Sequence, residues 1–168
     1  MTIQVKKLEH NCFDFLNVVK GIEIPACVEE IQWSFYECKE LRFIKVNADN
    51  KNYKDIDGVL YSRDGKTLIA YPNAHGDEYA IPSGVKEIAH FAFKDCSYLK
   101  KLIIPDSVKK IGANAFYGCT ALESVTIPSS IPPKSIGKYS CEYRLKEPKI
   151  FYNGKQYASI NDIAKNIQ

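Results

Sequence analysis

Residues 81–128 read IPSGVKEIAHFAFKDCSYLKKLIIPDSVKKIGANAFYGCTALESVTIP, and this stretch decides the fold. Ile81-Pro82, Ile104-Pro105 and Ile127-Pro128 recur at intervals of 23 residues, and the same offsets return inside each interval. Val85 and Ile88 match Val108 and Ile111, and Ala92-Phe93 matches Ala115-Phe116. Cys96 and Leu99 match Cys119 and Leu122, and Leu102 matches Val125. A fixed period of this length is the signature of stacked repeats.

The spacing inside one unit dictates its shape. Leu99-x-x-Leu102-x-Ile104 ends in alternation, so Leu102 and Ile104 face one way while Lys101 and Ile103 face the other. That is a short strand, closed by Pro105, which has no N–H to donate to a ladder. From Asp106 to Cys119 the apolar positions Val108, Ile111, Ala115 and Phe116, with Gly112 among them, predict a turn followed by one or two helical turns. A strand and its return arc cannot bury their apolar side alone. Stacked units bury it against one another, with parallel strands about 4.8 Å apart.

Working outward, an earlier unit begins at Ile24-Pro25 and carries Val28, Ile31, Phe35, Cys38, Leu41, Ile44 and Val46. A degenerate last unit follows Ile127-Pro128, with Ile136-Gly137, Cys141, Leu145 and Ile150. Between Val46 and Ile81 the interval stretches to 35 residues. Within it, Asp64-Gly65 flanked by alternating apolar residues predicts a β-hairpin inserted at about 55–72. At the C-terminus, Asn153-Gly154 predicts a second tight hairpin. Ser159 then caps a predicted helix whose apolar face is Ile160, Ile163, Ala164 and Ile167. Phe13, Phe15, Leu16, Val18 and Val19 are the expected N-terminal cap, and 19–24 the first ladder strand. The chain is thus expected to be one solenoid domain over 1–168: cap 1–18, repeats 19–150, cap 151–168.

These units resemble the bacterial surface-antigen type of leucine-rich repeat, usually called BspA-like, over about 24–150 and most specifically over 81–128. The resemblance implies a curved solenoid with a short parallel β-sheet on its concave face. With the loop or short-helix arcs and the C-terminal capping helix read from the residues, the expected fold is an α/β solenoid. It implies cell-surface or secreted proteins that bind host proteins, other microbes or matrix. The phrase DGVLYS…DGKTLIAYP within 57–72 is also similar to one of that family, where it resembles a hairpin projecting from the stack. The hairpin is either a decorated edge of the repeat stack, the favoured reading, or a protruding contact element carried by Tyr53, Tyr61 and Tyr71.

Composition narrows the function. A hydrophobic share of 45% and a charged share of 26% are those of a folded globular chain. The net charge of +3 comes from 23 basic and 20 acidic residues scattered along the chain, so no basic stripe tracks a nucleic acid. No apolar run approaches the roughly 18 residues that span a bilayer, so no membrane insertion is expected. The start, MTIQVKK, has no signal-peptide apolar region, which leaves an intracellular protein and a mature surface protein both open. Nothing in the residues fixes an oligomeric state.

Catalytic chemistry finds no foothold. Of six cysteines, Cys38, Cys96, Cys119 and Cys141 share one repeat position and are expected to stack as buried free thiols, while Cys12 and Cys27 lie outside the column, where a disulfide stays open. His10, His75 and His90 lie in different units without a ligand or a nucleophile at useful spacing. The Asn- and Asp-rich stretch 49–57 lacks the calcium-loop pattern, and no phosphate-binding glycine motif is present. The expectation is a protein without enzymatic activity, cofactor or metal.

A parallel ladder lines up the outward positions of successive strands. The two predicted columns are Gly21, Phe43, Glu78, Lys101 and Ser124, and Glu23, Lys45, Ala80, Ile103 and Thr126. Phe43 and Ile103 are apolar residues expected to face solvent, rimmed by charge as a protein-binding patch is. The expected function is a protein-interaction or adhesion module with Phe43, Lys45, Glu78, Lys101, Ile103, Ser124 and Thr126 at its face. The alternative is a structural spacer with no binding site of its own.

Overall fold

The computed structural model describes residues 5–9, 12–13, 16–32, 35, 38–137, 149–157 and 162–163. Two walls of short strands enclose the core. The first wall begins with β2 (Gly21–Ile24) and β4 (Phe43–Val46), paired in parallel. It resumes with β8 (Glu78–Ala80), β10 (Lys101–Ile103), β12 (Ser124–Ile127) and β13 (Lys149–Tyr152), again parallel. The antiparallel β14 (Lys155–Tyr157) closes that edge across the Asn153-Gly154 turn. The second wall holds β1 (Lys7–Leu8) paired with β3 (Glu30–Ile31). Further along it, β7 (Thr67–Ala70), β9 (Glu87–Ile88) and β11 (Lys110–Ile111) run in parallel.

The return arcs are therefore not helical, and the α/β expectation is corrected to a β-solenoid. Among the described residues the helical positions are a three-residue 3-10 turn, Pro133–Ser135, and the pair Asp162 and Ile163 near the C-terminus. The reason lies in where the arc N–H groups go. Phe91, Phe93 and Asp95 donate to the carbonyls of Ala113, Ala115 and Tyr117 in the next unit at 3.2, 2.8 and 2.7 Å. An α-helix would send those bonds four residues back within its own turn. Phe91 and Asp95 also take left-handed backbone angles, both with φ of 60°, which no helix interior accepts. Of the expected C-terminal capping helix, Ser159, Ile160, Ala164 and Ile167 lie outside the described residues. Ile163 is fully buried in the main core, and the ladder edge before it is closed by a strand.

Two units share that left-handed position just before the cysteine. Asp95 occupies it in one unit and Gly118 in the next, with φ of 73°. A methyl group on Gly118 would run into the Asp95 carboxylate. Gly118→Ala is expected to cost about 1–2 kcal/mol through the left-handed backbone alone. A thermal melt would show it as a drop of several degrees; an unchanged midpoint would refute the account.

The cysteines keep to their column. Cys38, Cys96 and Cys119 are buried, and each thiol donates to a carbonyl of the arc before it: Phe13 at 2.9 Å, Tyr71 at 3.6 Å and Phe93 at 2.9 Å. Burial pushes the Cys96 thiol well above its usual value, which keeps it a neutral donor. The five described cysteines are free, Cys12 exposed and Cys27 half-buried; Cys141 lies outside the described residues.

The inserted segment does not project. It is a three-stranded meander of β5 (Tyr53–Ile56), β6 (Val59–Ser62) and β7, joined to the second wall through β9. Val59, Tyr61 and Leu68 enter the main core, while Leu60 and Ala70 enter a separate core around Ile24, Leu41 and Ile44. The meander is a partition between two cores, with both faces covered. Tyr61 and Tyr71 are buried, and the half-buried Tyr53 accepts the Ile31 N–H at 2.9 Å on its hydroxyl, so the tyrosine contact element is corrected as well. At the N-terminus, Phe13 stacks on Phe35 at 5.6 Å and Val19 packs on the first core. Leu16 and Val18 remain exposed, and Phe15 lies outside the described residues.

Candidate functional site

Outward side chains of the first wall align strand by strand, 22 residues apart between β2 and β4 and 23 apart from β8 to β12. Gly21 sits beside Phe43 and Glu23 beside Lys45. Glu78, Lys101 and Ser124 form one row, and Ala80, Ile103 and Thr126 the next. The two sets are not one continuous row. The far edge of β4 is taken by the meander: Ile44 N–H donates to the Gly58 carbonyl at 2.7 Å and Val46 N–H to Asp55 Oδ1 at 2.8 Å. The ladder therefore breaks between β4 and β8 and divides the predicted face in two.

Phe43 is held rather than loose. Its ring lies over Gly21, where any side chain would collide with it, and its Cβ abuts Gly58. Even so it is 42% exposed, and Ile103 on the other half is 49% exposed. The charges around them are matched. Lys45 pairs with Asp55 at 3.2 Å and Lys101 with Glu78 at 3.6 Å. Such exposed pairs contribute little stability; their effect is to fix side-chain positions on the face. Ser124 is half-buried and Thr126 exposed.

Sequence reasoning missed Asp55, whose role depends on the path of the insertion. It also missed a cleft at the break, lined by Glu40, Arg42, His75, Asp77, Tyr98 and Lys100. His75 Nδ1 lies 2.8 Å from the Arg42 carbonyl, and its ring meets Tyr71 edge-on at 5.1 Å. The exposed Tyr98, just before the buried Leu99, was the available signal. Among the described residues no group of three or more His, Cys, Asp or Glu side chains is placed to hold a metal ion. No helix among them is long and apolar enough to cross a membrane.

Two walls of stacked strands with a 23-residue repeat define a leucine-rich-repeat solenoid. The BspA type leucine-rich repeat region, in 6 copies, matches residues 1–61 and 70–164, and the chain belongs to that family. The unmatched residues between those spans fall in the meander, around the turn between β6 and β7. None of the proteins of curated function is similar to it. A leucine-rich repeat protein from Eubacterium ventriosum is 38% identical over 70% of this chain and 32% of its own, with a TM-score of 0.66. The pneumococcal vaccine antigen PcpA is 29% identical over 76% of this chain and 32% of its own, also at 0.66. A leucine rich cell surface protein from Faecalibacterium prausnitzii is 26% identical over 90% of this chain and 52% of its own, at 0.57. The chain thus spans 32% of each of the first two and 52% of the third.

Proposed function

We propose that this solenoid is a non-catalytic protein-binding module of a bacterial cell-surface protein. Its binding face is the outward row of the ladder, with Phe43, Lys45, Glu78, Lys101, Ile103, Ser124 and Thr126. The observation that carries the reading is the pair of exposed apolar residues, Phe43 and Ile103, set among neutralised charges on a row of aligned strands. Apolar anchors ringed by polar groups are what an interface centre needs, since burying them returns free energy without stranding a charge. The likeness to a cell surface protein and to a vaccine antigen supports the location. A small face of this kind gains affinity through copies or flanking repeats.

Phe43→Ala combined with Lys101→Glu is expected to weaken binding to a panel of host and bacterial surface proteins by roughly tenfold or more. Both side chains are exposed, so the melting temperature should move by no more than about 2 °C. Undiminished binding and localisation in that variant would refute the ladder reading and leave a spacer that holds other elements apart.

A further inference from the structure

The residue just before each ladder strand forms its own column: Lys20, Arg42, Asp77, Lys100 and Glu123. Backbone bonds place these residues side by side. Arg42 N–H donates to the Lys20 carbonyl at 2.8 Å, Lys100 to Asp77 at 2.6 Å and Glu123 to Lys100 at 2.8 Å. After the break the column alternates in sign, and the Lys100 ammonium lies 3.3 Å from Asp77. Before the break it does not alternate. Lys20 and Arg42 are neighbouring cations, and neither has an ion-pair partner among the described residues.

Like charges on adjacent strands oppose the pairing of those strands. Elsewhere on this face the arrangement is avoided: Lys45, Lys100 and Lys101 each have a carboxylate within 3.6 Å. The exception opens onto the cleft at the ladder break. The Arg42 carbonyl is tied to His75 there, while Asp77 on the far wall is engaged by Lys100. Glu40 also lines the cleft and makes no ion pair with Arg42 among the described residues. Phe43, 42% exposed, adjoins Arg42 in sequence, and Tyr98, 50% exposed, lines the opposite side.

We propose that Lys20 and Arg42 receive an acidic segment of a protein partner. Its carboxylates lie against the two cations and an adjoining apolar side chain packs on Phe43 and Tyr98. A planar guanidinium takes a carboxylate through two parallel bonds, and a lysine ammonium beside it adds a second contact. A protein is favoured over a sulfated glycan because the cations stop at two, the column turns acidic at Asp77, and the flanking rings need an apolar occupant. This proposal rests on the reading of the ladder as a protein-binding face and names the chemistry of its partner.

The test is fluorescence anisotropy with a labelled synthetic peptide of alternating Glu and Phe, using the whole chain. Lys20→Glu with Arg42→Glu is expected to weaken peptide binding by roughly tenfold, and added salt should weaken wild-type binding alike. Lys86→Glu with Lys134→Glu makes the same charge change elsewhere on the surface and should alter binding less than about twofold. Failure of the wild type to bind the peptide overturns the proposal, as does equal binding by the Lys20 and Arg42 variant. A heparin fragment that binds with the same dependence while the peptide does not also overturns it, in favour of a glycan. Lys101→Glu with Ile103→Ala separates this proposal from the ladder reading. Peptide binding that survives those changes but fails without Lys20 and Arg42 supports the acidic docking site on the first half of the ladder. A protein partner lost on Lys101 and Ile103 alone does the reverse.

Discussion

Replacing Asn50 by valine is expected to cost about 3 kcal/mol, although valine is what neighbouring units carry at that position. Val28, Val85 and Val108 each stand three residues after Pro25, Pro82 and Pro105 and close the same turn, with N–H to proline carbonyl distances of 3.3, 3.4 and 3.1 Å. Asn50 closes that turn on Asn47 at 2.9 Å and is fully buried like the valines. Its side chain, however, is fully bonded. Nδ2 donates to the carbonyls of Pro25 at 2.8 Å and Val28 at 3.0 Å. Oδ1 accepts the N–H groups of Asn52 and Tyr53, both at 2.9 Å. Here the chain leaves the repeat path for β5, and the amide satisfies the backbone groups that the departure exposes. With valine, Pro25 keeps its bond to Val28, but the Val28 carbonyl and two N–H groups lose theirs. The buried Val28 carbonyl costs about 1–3 kcal/mol as an orphan, and the Asn52 and Tyr53 N–H groups, nearer the surface, add less because water reaches them. Urea denaturation should give a lower midpoint, and amide exchange should quicken first in β5. A variant as stable as the parent would overturn the assignment.

That position shows where sequence reading succeeds and where it stops. The ladder register is legible because the repeat restates it: Lys101 meets Glu78 and Ser124 at 23 residues, and Gly21 meets Phe43 at 22, the first unit being one residue shorter. The arcs are not, because the spacing of Ala92-Phe93 and Ala115-Phe116 suits a helical turn as well as an extended arc bonded to its neighbour. The choice depends on cross-unit bonds and on a phenylalanine in a left-handed conformation, which its sterics disfavour. The meander held a readable clue. Val59-Leu60-Tyr61 is an unbroken apolar run, and such runs mark strands covered on both faces. Of the candidate face, the outward placement of Phe43 and Ile103 follows from alternation along each strand. The break beside β4, the Asp55 partner of Lys45 and the cleft at Arg42 do not, because they depend on how the insertion returns to the stack.

Tyr61→Ala is expected to be the more damaging change, at about 4 kcal/mol, because the side chain fills the partition between two cores. Val59 and Tyr61 point into the main core while Leu60, between them, points into the first. The Tyr61 hydroxyl meets the Tyr79 hydroxyl at 2.7 Å. Burial and that partner push the Tyr61 phenol far above its ordinary range, so it stays neutral and acts as a packing group. Tyr61→Phe isolates the hydrogen bond and should cost about 1 kcal/mol, since the half-buried Tyr79 hydroxyl can turn to water. Tyr61→Ala removes the ring as well and leaves a cavity on a wall that both cores lean on. If β6 couples the two cores, the alanine variant melts in a single transition lowered by about 10 °C. Amide protection should then fall together around Ile44 in the first core and Phe93 in the main one. Two separate transitions, with the first core unaffected, would show that the cores are stable independently and that the meander only lies between them.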